Sequence, residues 1–369
     1  MEGEKNMPVR ETSFRIGCGR YLQEPNIIAK LGEEVVRIGK KPLVIGGKTA
    51  LSITKEKIER SLSATCEKFM IIEHCGTCNE ERANELAEIA KAHGYDVIVG
   101  VGGGVIMDFS KLVGDVYGIP VINVPTSSAT CAAYTPLSVR YTPDGRTVGS
   151  KHYGYEVSGV LVDTNIIAKQ PIRLLLAGVF DALAKFVEIK QRFNDDVTEY
   201  PLGLDWAYTL SKKSFSELNS KTEACIEDMM SGEVTDTIEQ VIFTTIATTA
   251  IISGIARGSN QCALAHKFYE GTRKLFFKES KDYLHGEIVG VGLLLQNHFN
   301  GETENNELLL ELMQKYNMPS CLSNIGVAPT PENLEKYFEE LKNGSAINEK
   351  DADELNRLRK SLEYLWNFN

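Results

Sequence analysis

Positive charge is in short supply in this chain. Among 369 residues, 40 Lys and Arg face 50 Asp and Glu, a formal net charge of −10. Binding to nucleic acid needs a basic surface that neutralises phosphates, so that class of partner is disfavoured. Long apolar runs are also missing: none approaches the ~20 residues of a membrane span, and no membrane partner is expected. The opening Met1-Glu2-Gly3-Glu4-Lys5-Asn6 is polar and lacks the apolar core of a secretion signal. The eight cysteines are scattered, and only Cys75 and Cys78 form a CxxC pair. Scattered cysteines without a secretion signal point to reduced thiols and a cytoplasmic setting. Cys75-Gly76-Thr77-Cys78 is read as a loop after a strand in preference to a redox pair.

What remains is an ordinary globular composition, 43% hydrophobic and 24% charged. The length suffices for two domains with real cores. The first half alternates short apolar runs with amphipathic helical ones. Residues 42–47, 69–72, 96–101, 120–125 and 159–163 read as strands, and 80–93 and 106–117 as helices. Runs that are apolar on both faces and separated by helices indicate a parallel sheet covered by helices. Residues 137–141 read as one arm of a hairpin, with Pro143-Asp144-Gly145 as its turn. From Pro171 onward strands are not expected; helical patterns cover 171–191, 203–220, 236–256, 286–299 and 331–342, and the charged tail from Ala346 reads as a peripheral helix. The expectation is an α/β domain over residues 1–168 followed by an all-helical domain over 169–369.

Glycines mark the first functional feature. Gly102-Gly103-Gly104 ends a strand and opens a helix containing Val105, Ile106, Asp108 and Lys111. A glycine turn lets backbone approach a phosphate closely, and the helix N-terminus points free N–H groups at it. Thr126-Ser127-Ser128-Ala129 follows the next strand and supplies hydroxyls at the same sheet edge. Gly46-Gly47-Lys48 ends an earlier strand, where nicotinamide-binding folds often carry an acid that grips the ribose 2′-hydroxyl. Here there is no acid and Lys48 offers a cation, so NADP is favoured over NAD.

Histidines are few, six in all, and two stand in apolar surroundings. His266 follows Cys262-Ala263-Leu264-Ala265, and His285 opens a glycine-rich apolar helix. Asp181 interrupts the apolar stretch 174–187. A lone buried histidine is usually a satisfied core residue; His74, His93 and His298 are given no ligand role and are read as a loop position and two helix ends. A buried carboxylate, however, is costly unless paired. One carboxylate and two imidazoles form a three-ligand set with an open coordination position, the mark of a catalytic metal site. Glu287 is read as a complement to its helix N-terminus.

Taken together these motifs resemble the iron-containing alcohol dehydrogenase superfamily, and within it the glycerol dehydrogenase branch. The resemblance runs from Gly19-Arg20-Tyr21 to about His298, through Gly102-Gly103-Gly104, Pro125-Thr126-Ser127-Ser128, Leu161-Val162-Asp163-Thr164, Gly178-Val179-Phe180-Asp181, Ala265-His266 and His285-Gly286-Glu287. It implies a dinucleotide-binding domain, a helical domain and an active site in the cleft between them. Asp181, His266 and His285 match the metal ligands, for zinc or iron. Cofactor contacts map to 104–108, 126–129, Thr135, Leu137 and Tyr141. Members of the superfamily often assemble, so a homo-oligomer is expected.

Three departures bear on the substrate. Iron-dependent members carry a further histidine one turn after the aspartate, where this chain has Lys185. Glycerol dehydrogenases contact glycerol through an aspartate where this chain has Cys131. A histidine three residues after the first metal histidine is replaced by Tyr269. The run from Ala129 to Pro136, with Cys131 and Tyr134 as candidate substrate contacts, looks like a subgroup that reduces 2-oxo acids with NADPH. The reading is therefore a metal-dependent NAD(P) dehydrogenase acting on a small alcohol, polyol or 2-hydroxy acid, with 2-oxo acid reduction favoured. A metal would serve as Lewis acid and the nicotinamide would carry hydride. Tyr134, Tyr269 and His152 are candidates for a water-borne proton relay, and Arg140, Lys151 and Arg257 for pairing with a carboxylate. The rivals are glycerol dehydrogenase proper, a dehydroquinate synthase-like lyase, and a cofactor-binding protein without turnover.

Overall fold

A computed structural model describes residues 14, 16–193, 200–256, 261–344 and 346–366. The chain runs β1 (Tyr21–Glu24), α1 (Leu31–Val35), β2 (Pro42–Gly46), α2 (Lys48–Thr65), β3 (Met70–Glu73), α3 (Glu80–Ala92), β4 (Val97–Gly102), α4 (Gly104–Tyr117) and β5 (Val121–Pro125). Next come β6 (Leu137–Tyr141), β7 (Thr147–His152), β8 (Gly159–Asp163), α5 (Thr164–Ile167), α6 (Ile172–Lys190), α7 (Leu202–Ser231), α8 (Asp236–Phe243) and α9 (Thr249–Ala256). It finishes with α10 (Leu264–Leu275), α11 (Phe277–Ser280), α12 (His285–Asn300), α13 (Glu304–Lys315), α14 (Pro331–Lys342) and α15 (Ala352–Trp366).

Six strands form one sheet in the order β1-β8-β5-β4-β2-β3, every pairing parallel. The four strands β2, β4, β5 and β8 are buried along their whole length. That accounts for their richness in Val, Ile and Leu: with helices on both faces, neither side of the strand meets water. The order reverses between β2 and β4, because β3 lies on the far side of β2 while β5, β8 and β1 continue beyond β4. The carboxyl ends of β2 and β4 therefore flank the crevice where ligands settle in open α/β sheets. A separate antiparallel hairpin pairs β6 with β7, and Gly145 turns it at φ 91°.

The expected β/α order holds, with three differences. Strand β1 was not anticipated. Its Tyr-Leu-Gln-Glu is half-buried at a sheet edge and carries no run of apolar residues. Helices α10 and α13 were also missed; neither has a capping side chain to mark its start. Residues 236–256, expected as one helix, are interrupted by a five-residue π turn at Thr244–Thr248. There Thr245 and Thr249 donate their hydroxyls to carbonyls of the preceding turn. Contrary to the reading of the sequence, this same stretch is long and apolar enough to cross a membrane by length and composition. However, 67% of its most apolar window is buried inside the protein, as in the core helix of a folded bundle.

No strand follows Asp163 among the described residues. The C-terminal helices share one apolar core with the sheet face that carries Val160 and Val162 and with Ile106 of α4. Within it α6 packs against α7 and α12, and α12 against α10 and α15. Helix α6 therefore stands between the sheet and the outer helices, and it carries Asp181.

Candidate metal and dinucleotide site

Two glycines bring the elements of the site together. A Cβ on Gly178 would lie 1.9 Å from the Ser128 carbonyl oxygen, so α6 presses directly on the loop after β5. A Cβ on Gly286 would lie 1.8 Å from the Ala177 carbonyl oxygen, so the start of α12 presses on α6 from the other side. No side chain fits at either contact. Asp181 sits one turn beyond Gly178, and His285 immediately precedes Gly286. The entry of α12 is fixed further by Glu287, whose carboxylate accepts the Leu284 N–H at 2.7 Å and pairs with Arg173 at 2.5 and 2.6 Å.

The consequence is a cluster. One ligand atom each from Asp181, His266 and His285 lies within 4.8 Å of the others. Nε2 of His266 is 3.2 Å from Oδ1 of Asp181, and Nε2 of His285 is 3.6 Å from the same oxygen. Asp181 and His266 are buried; His285 is partly open, its ring lying edge-on to Tyr269 with centroids 4.2 Å apart. Burial opposes ionisation of Asp181, yet Lys185 and the two imidazoles outweigh it and hold the carboxyl well below the usual range. Burial also opposes charge on His266, but the neighbouring Glu188 carboxylate more than compensates and the imidazole is pushed up to about 10.

Sequence reasoning did not single out Glu188. It lies two turns after Asp181 on α6, wholly buried, and accepts the backbone N–H groups of Ala263 and His266 at 2.7 and 2.8 Å. Its other oxygen is 2.5 Å from Nδ1 of His266. A carboxylate on Nδ1 orients the ring and leaves Nε2 for an ion, as in carboxylate–histidine–metal arrangements. The available signal was its spacing, seven residues from Asp181 on an apolar helix. Lys185, noted in the sequence as standing where iron-dependent relatives have a histidine, joins the cluster: its ammonium is 3.2 Å from Nε2 of His266 and 3.7 Å from Oδ1 of Asp181.

At the sheet edge, α2 and α4 begin from Gly47 and Gly103, and neither helix has a side-chain cap. The two N-termini rise from β2 and β4, neighbours in the sheet, so uncapped N–H groups flank the crevice. Gly46 and Gly102 end the two strands, while Lys48 and Val105 are exposed and Ile106 is buried beneath the glycine turn. A Cβ on Gly104 would meet the Thr130 hydroxyl at 3.0 Å, and one on Gly103 would meet Ser127 Oγ at 3.6 Å, so the loop after β5 stands against the turn. Thr126 closes that edge, donating its N–H to the Gly102 carbonyl at 2.9 Å, and Ala129 is buried behind it.

Asp108 serves the loop. It accepts the Val139 N–H at 3.0 Å and pairs with Lys111 at 2.9 Å. Lys111, almost wholly buried, donates to the carbonyls of Ala132, Thr135 and Leu137. Thr135 and Leu137 are thus held through their backbone. Tyr141, pushed up by burial, interacts with Tyr269, which links the hairpin to the His285 ring.

The candidate substrate contacts separate. The Cys131 thiol, pushed up to about 12 by burial, lies in the field of Asp181 and Lys185. The Tyr134 hydroxyl instead donates to the Ile16 carbonyl at 3.2 Å, and its ring lies against Tyr21. His152 is exposed on β7. Arg140 is taken by Glu80 at 2.5 Å and Lys151 by Asp115 at 2.6 Å, so neither is free to receive a substrate carboxylate; Arg257 lies outside the described residues.

Comparison with known proteins bears on this geometry. The profile of the family described as iron-containing alcohol dehydrogenase matches residues 18–164. A glycerol dehydrogenase of Citrobacter freundii is 31% identical over 316 residues, covering 84% of each chain. Hydroxycarboxylate dehydrogenase A of Escherichia coli strain K12 is 28% identical over 328 residues, covering 87% of each. Among solved structures, a probable glycerol dehydrogenase from Sinorhizobium meliloti 1021 superposes with a TM-score of 0.80 at 22% identity, over 96% of this chain and 98% of that one; at that identity the likeness concerns the fold.

Proposed function

Since the chain belongs to the iron-containing alcohol dehydrogenase family and is an oxidoreductase acting on alcohols, we propose that it interconverts small 2-oxo acids and 2-hydroxy acids with a nicotinamide cofactor and a divalent metal. The observation that carries this reading is the convergence of Asp181, His266 and His285 within 4.8 Å. One carboxylate and two imidazoles suit zinc or ferrous iron, and three protein ligands leave a position for substrate oxygen. The Glu188 contact at Nδ1 of His266 supports the same fit, because it leaves Nε2 as the coordinating nitrogen. When bound, the metal supplies Lewis acidity to the substrate oxygen, and the nicotinamide supplies or accepts hydride.

The chain's own residues bind and orient. The uncapped starts of α2 and α4 receive the cofactor phosphates. Thr126 and Ser127 border that cradle, while Lys111 and Asp108 hold the loop and hairpin beside it. Lys48, with no acid at Gly46 or Gly47, favours a 2′-phosphate and hence NADPH. Tyr141 and Tyr269 border the site on the hairpin side and cover one edge of the His285 ring.

Three observations favour a 2-oxo acid over a neutral polyol: Cys131 in place of a polyol-binding aspartate, Lys185 inside the cluster, and 28% identity to a hydroxycarboxylate dehydrogenase. The second reading, a glycerol dehydrogenase, is favoured by the 31% identity to the Citrobacter enzyme. Metal analysis combined with NADPH and NADH consumption over pyruvate, 2-oxobutyrate and dihydroxyacetone tests both. The expected outcome is metal-dependent NADPH oxidation by the acids. Turnover with dihydroxyacetone alone would establish the second reading, and a bound metal and cofactor without turnover would sink both. An Asp181→Ala variant is expected to lose metal and turnover and still bind dinucleotide.

A further inference from the structure

We propose that Lys185 is the anion-recognition group of this site, its ammonium pairing with the carboxylate of a 2-oxo acid whose carbonyl oxygen is presented to Asp181, His266 and His285. The inference rests on the metal reading above and names how substrate charge is read.

Lys185 is one helical turn from Asp181 on the same face of α6, and its side chain is 6% exposed. An ammonium carries three N–H donors and needs acceptors when buried. Among the described residues it contacts two ligating atoms, Nε2 of His266 at 3.2 Å and Oδ1 of Asp181 at 3.7 Å. Those are the lone pairs that the cluster offers to a cation. Once they are engaged, the ammonium keeps its burial and loses both acceptors. A buried cation that gives up its acceptors is strongly unfavourable, which makes this a place where an anion is favoured.

The charge balance gives the kind of anion. A divalent ion and Lys185 face two carboxylates, Asp181 and Glu188, leaving one positive charge over. A monocarboxylate neutralises it; a polyol does not. The neighbouring cations are committed elsewhere. Lys111 is held by Asp108 and three carbonyls. Arg173 is held by Glu287, and Arg273 by the carbonyls of Ser280 and Tyr283. Cys131 and Cys262 lie within the electrostatic reach of Lys185, and an uncharged thiol there neither repels a carboxylate nor competes for the ammonium.

The test uses the full chain loaded with zinc and NADPH, with oxamate as an unreactive 2-oxo acid analogue. Calorimetry is expected to show Lys185→Met weakening oxamate binding about 10- to 100-fold, the value of one charge-assisted hydrogen bond. Zinc content should be unchanged and Lys185→Arg should retain most of the affinity. In turnover, KM for pyruvate should rise in Lys185→Met, and the ratio of kcat/KM for pyruvate over butane-2,3-dione, in which an uncharged acetyl group replaces the carboxylate, should fall about 10- to 100-fold. Circular dichroism checks folding, and Lys185→Gln replaces the Met variant if that one fails to fold. Equal oxamate affinity in wild type and a folded, zinc-loaded neutral variant would overturn the role of Lys185 and leave the metal reading intact. A wild-type chain that retains neither zinc nor ferrous iron would overturn both.

Discussion

Nδ1 of His266 and Oε2 of Glu188 lie 2.5 Å apart, and the same carboxylate also holds the backbone of the turn that carries His266. Asp181 and Glu188 thus divide the work on one helix, one presenting an oxygen to the cluster and the other fixing which ring nitrogen faces it. Replacing Glu188 by Gln keeps the shape and removes the charge. Metal affinity is expected to fall about 10- to 100-fold, measured by competition with a chromophoric chelator. An unchanged affinity would mean that the ring is oriented by packing alone.

The contact at Gly286 predicts a steric effect. A methyl group there would overlap the Ala177 carbonyl oxygen at 1.8 Å, and backbone cannot give way as a flexible side chain would. Gly286→Ala is expected to cost about 1–3 kcal/mol or more and to displace His285. The checks are a lower thermal midpoint and loss of metal retention. A variant with wild-type midpoint and metal content would show that α12 can slide on α6.

Gly47 offers the opposite case. Its backbone is extended, at φ −74° and ψ 149°, and a Cβ would meet only Ile106, at 3.5 Å and beyond. Gly47→Asp is therefore expected to fold normally. It places a carboxylate at the end of β2, where it can bind a ribose 2′-hydroxyl and repel a 2′-phosphate. The ratio of kcat/KM for NADPH over NADH should fall about tenfold or more, the scale of one charge-assisted contact. A constant ratio would place the specificity determinant elsewhere.

Lys111 predicts a stability effect in the cofactor half. Replacing it by Met leaves Asp108 without its cation and three loop carbonyls without their donor. Removing one partner of a buried ion pair costs about 3–5 kcal/mol. Urea unfolding should show a clear drop in midpoint, accompanied by weaker dinucleotide binding because the loop loses its tie. A shift below about 1 kcal/mol would mean that water replaces the ammonium.

The fold was legible where physics imposes a strong pattern. Strands buried on both faces must be largely apolar, and β2, β4, β5 and β8 are, with Asn123 and Asp163 as their buried polar exceptions. Strand β1 escaped because an edge position tolerates Gln23 and Glu24. Helices α10 and α13 escaped because no capping side chain marks where they begin. In the site, Asp181, His266 and His285 stand out because each is a polar residue set into an apolar stretch. Glu188 does not stand out, since a glutamate near the end of a helix usually faces water; its burial and its hold on His266 arise only when α10 folds back onto α6. Tyr134 shows the converse. Its place in the loop drew attention, but its hydroxyl is given to the Ile16 carbonyl, a segment remote in sequence.

Helix α6 touches backbone on both sides, at Ser128 through Gly178 and at Ala177 through Gly286. Such contacts have no slack. A descendant of this chain that turned to a bulkier substrate could not gain room by easing α6 outward or inward, because either shift opens one contact and collides at the other. Room beside the cluster would have to come from shorter side chains, beginning with the loop that carries Cys131, whose thiol lies in the field of Asp181 and Lys185.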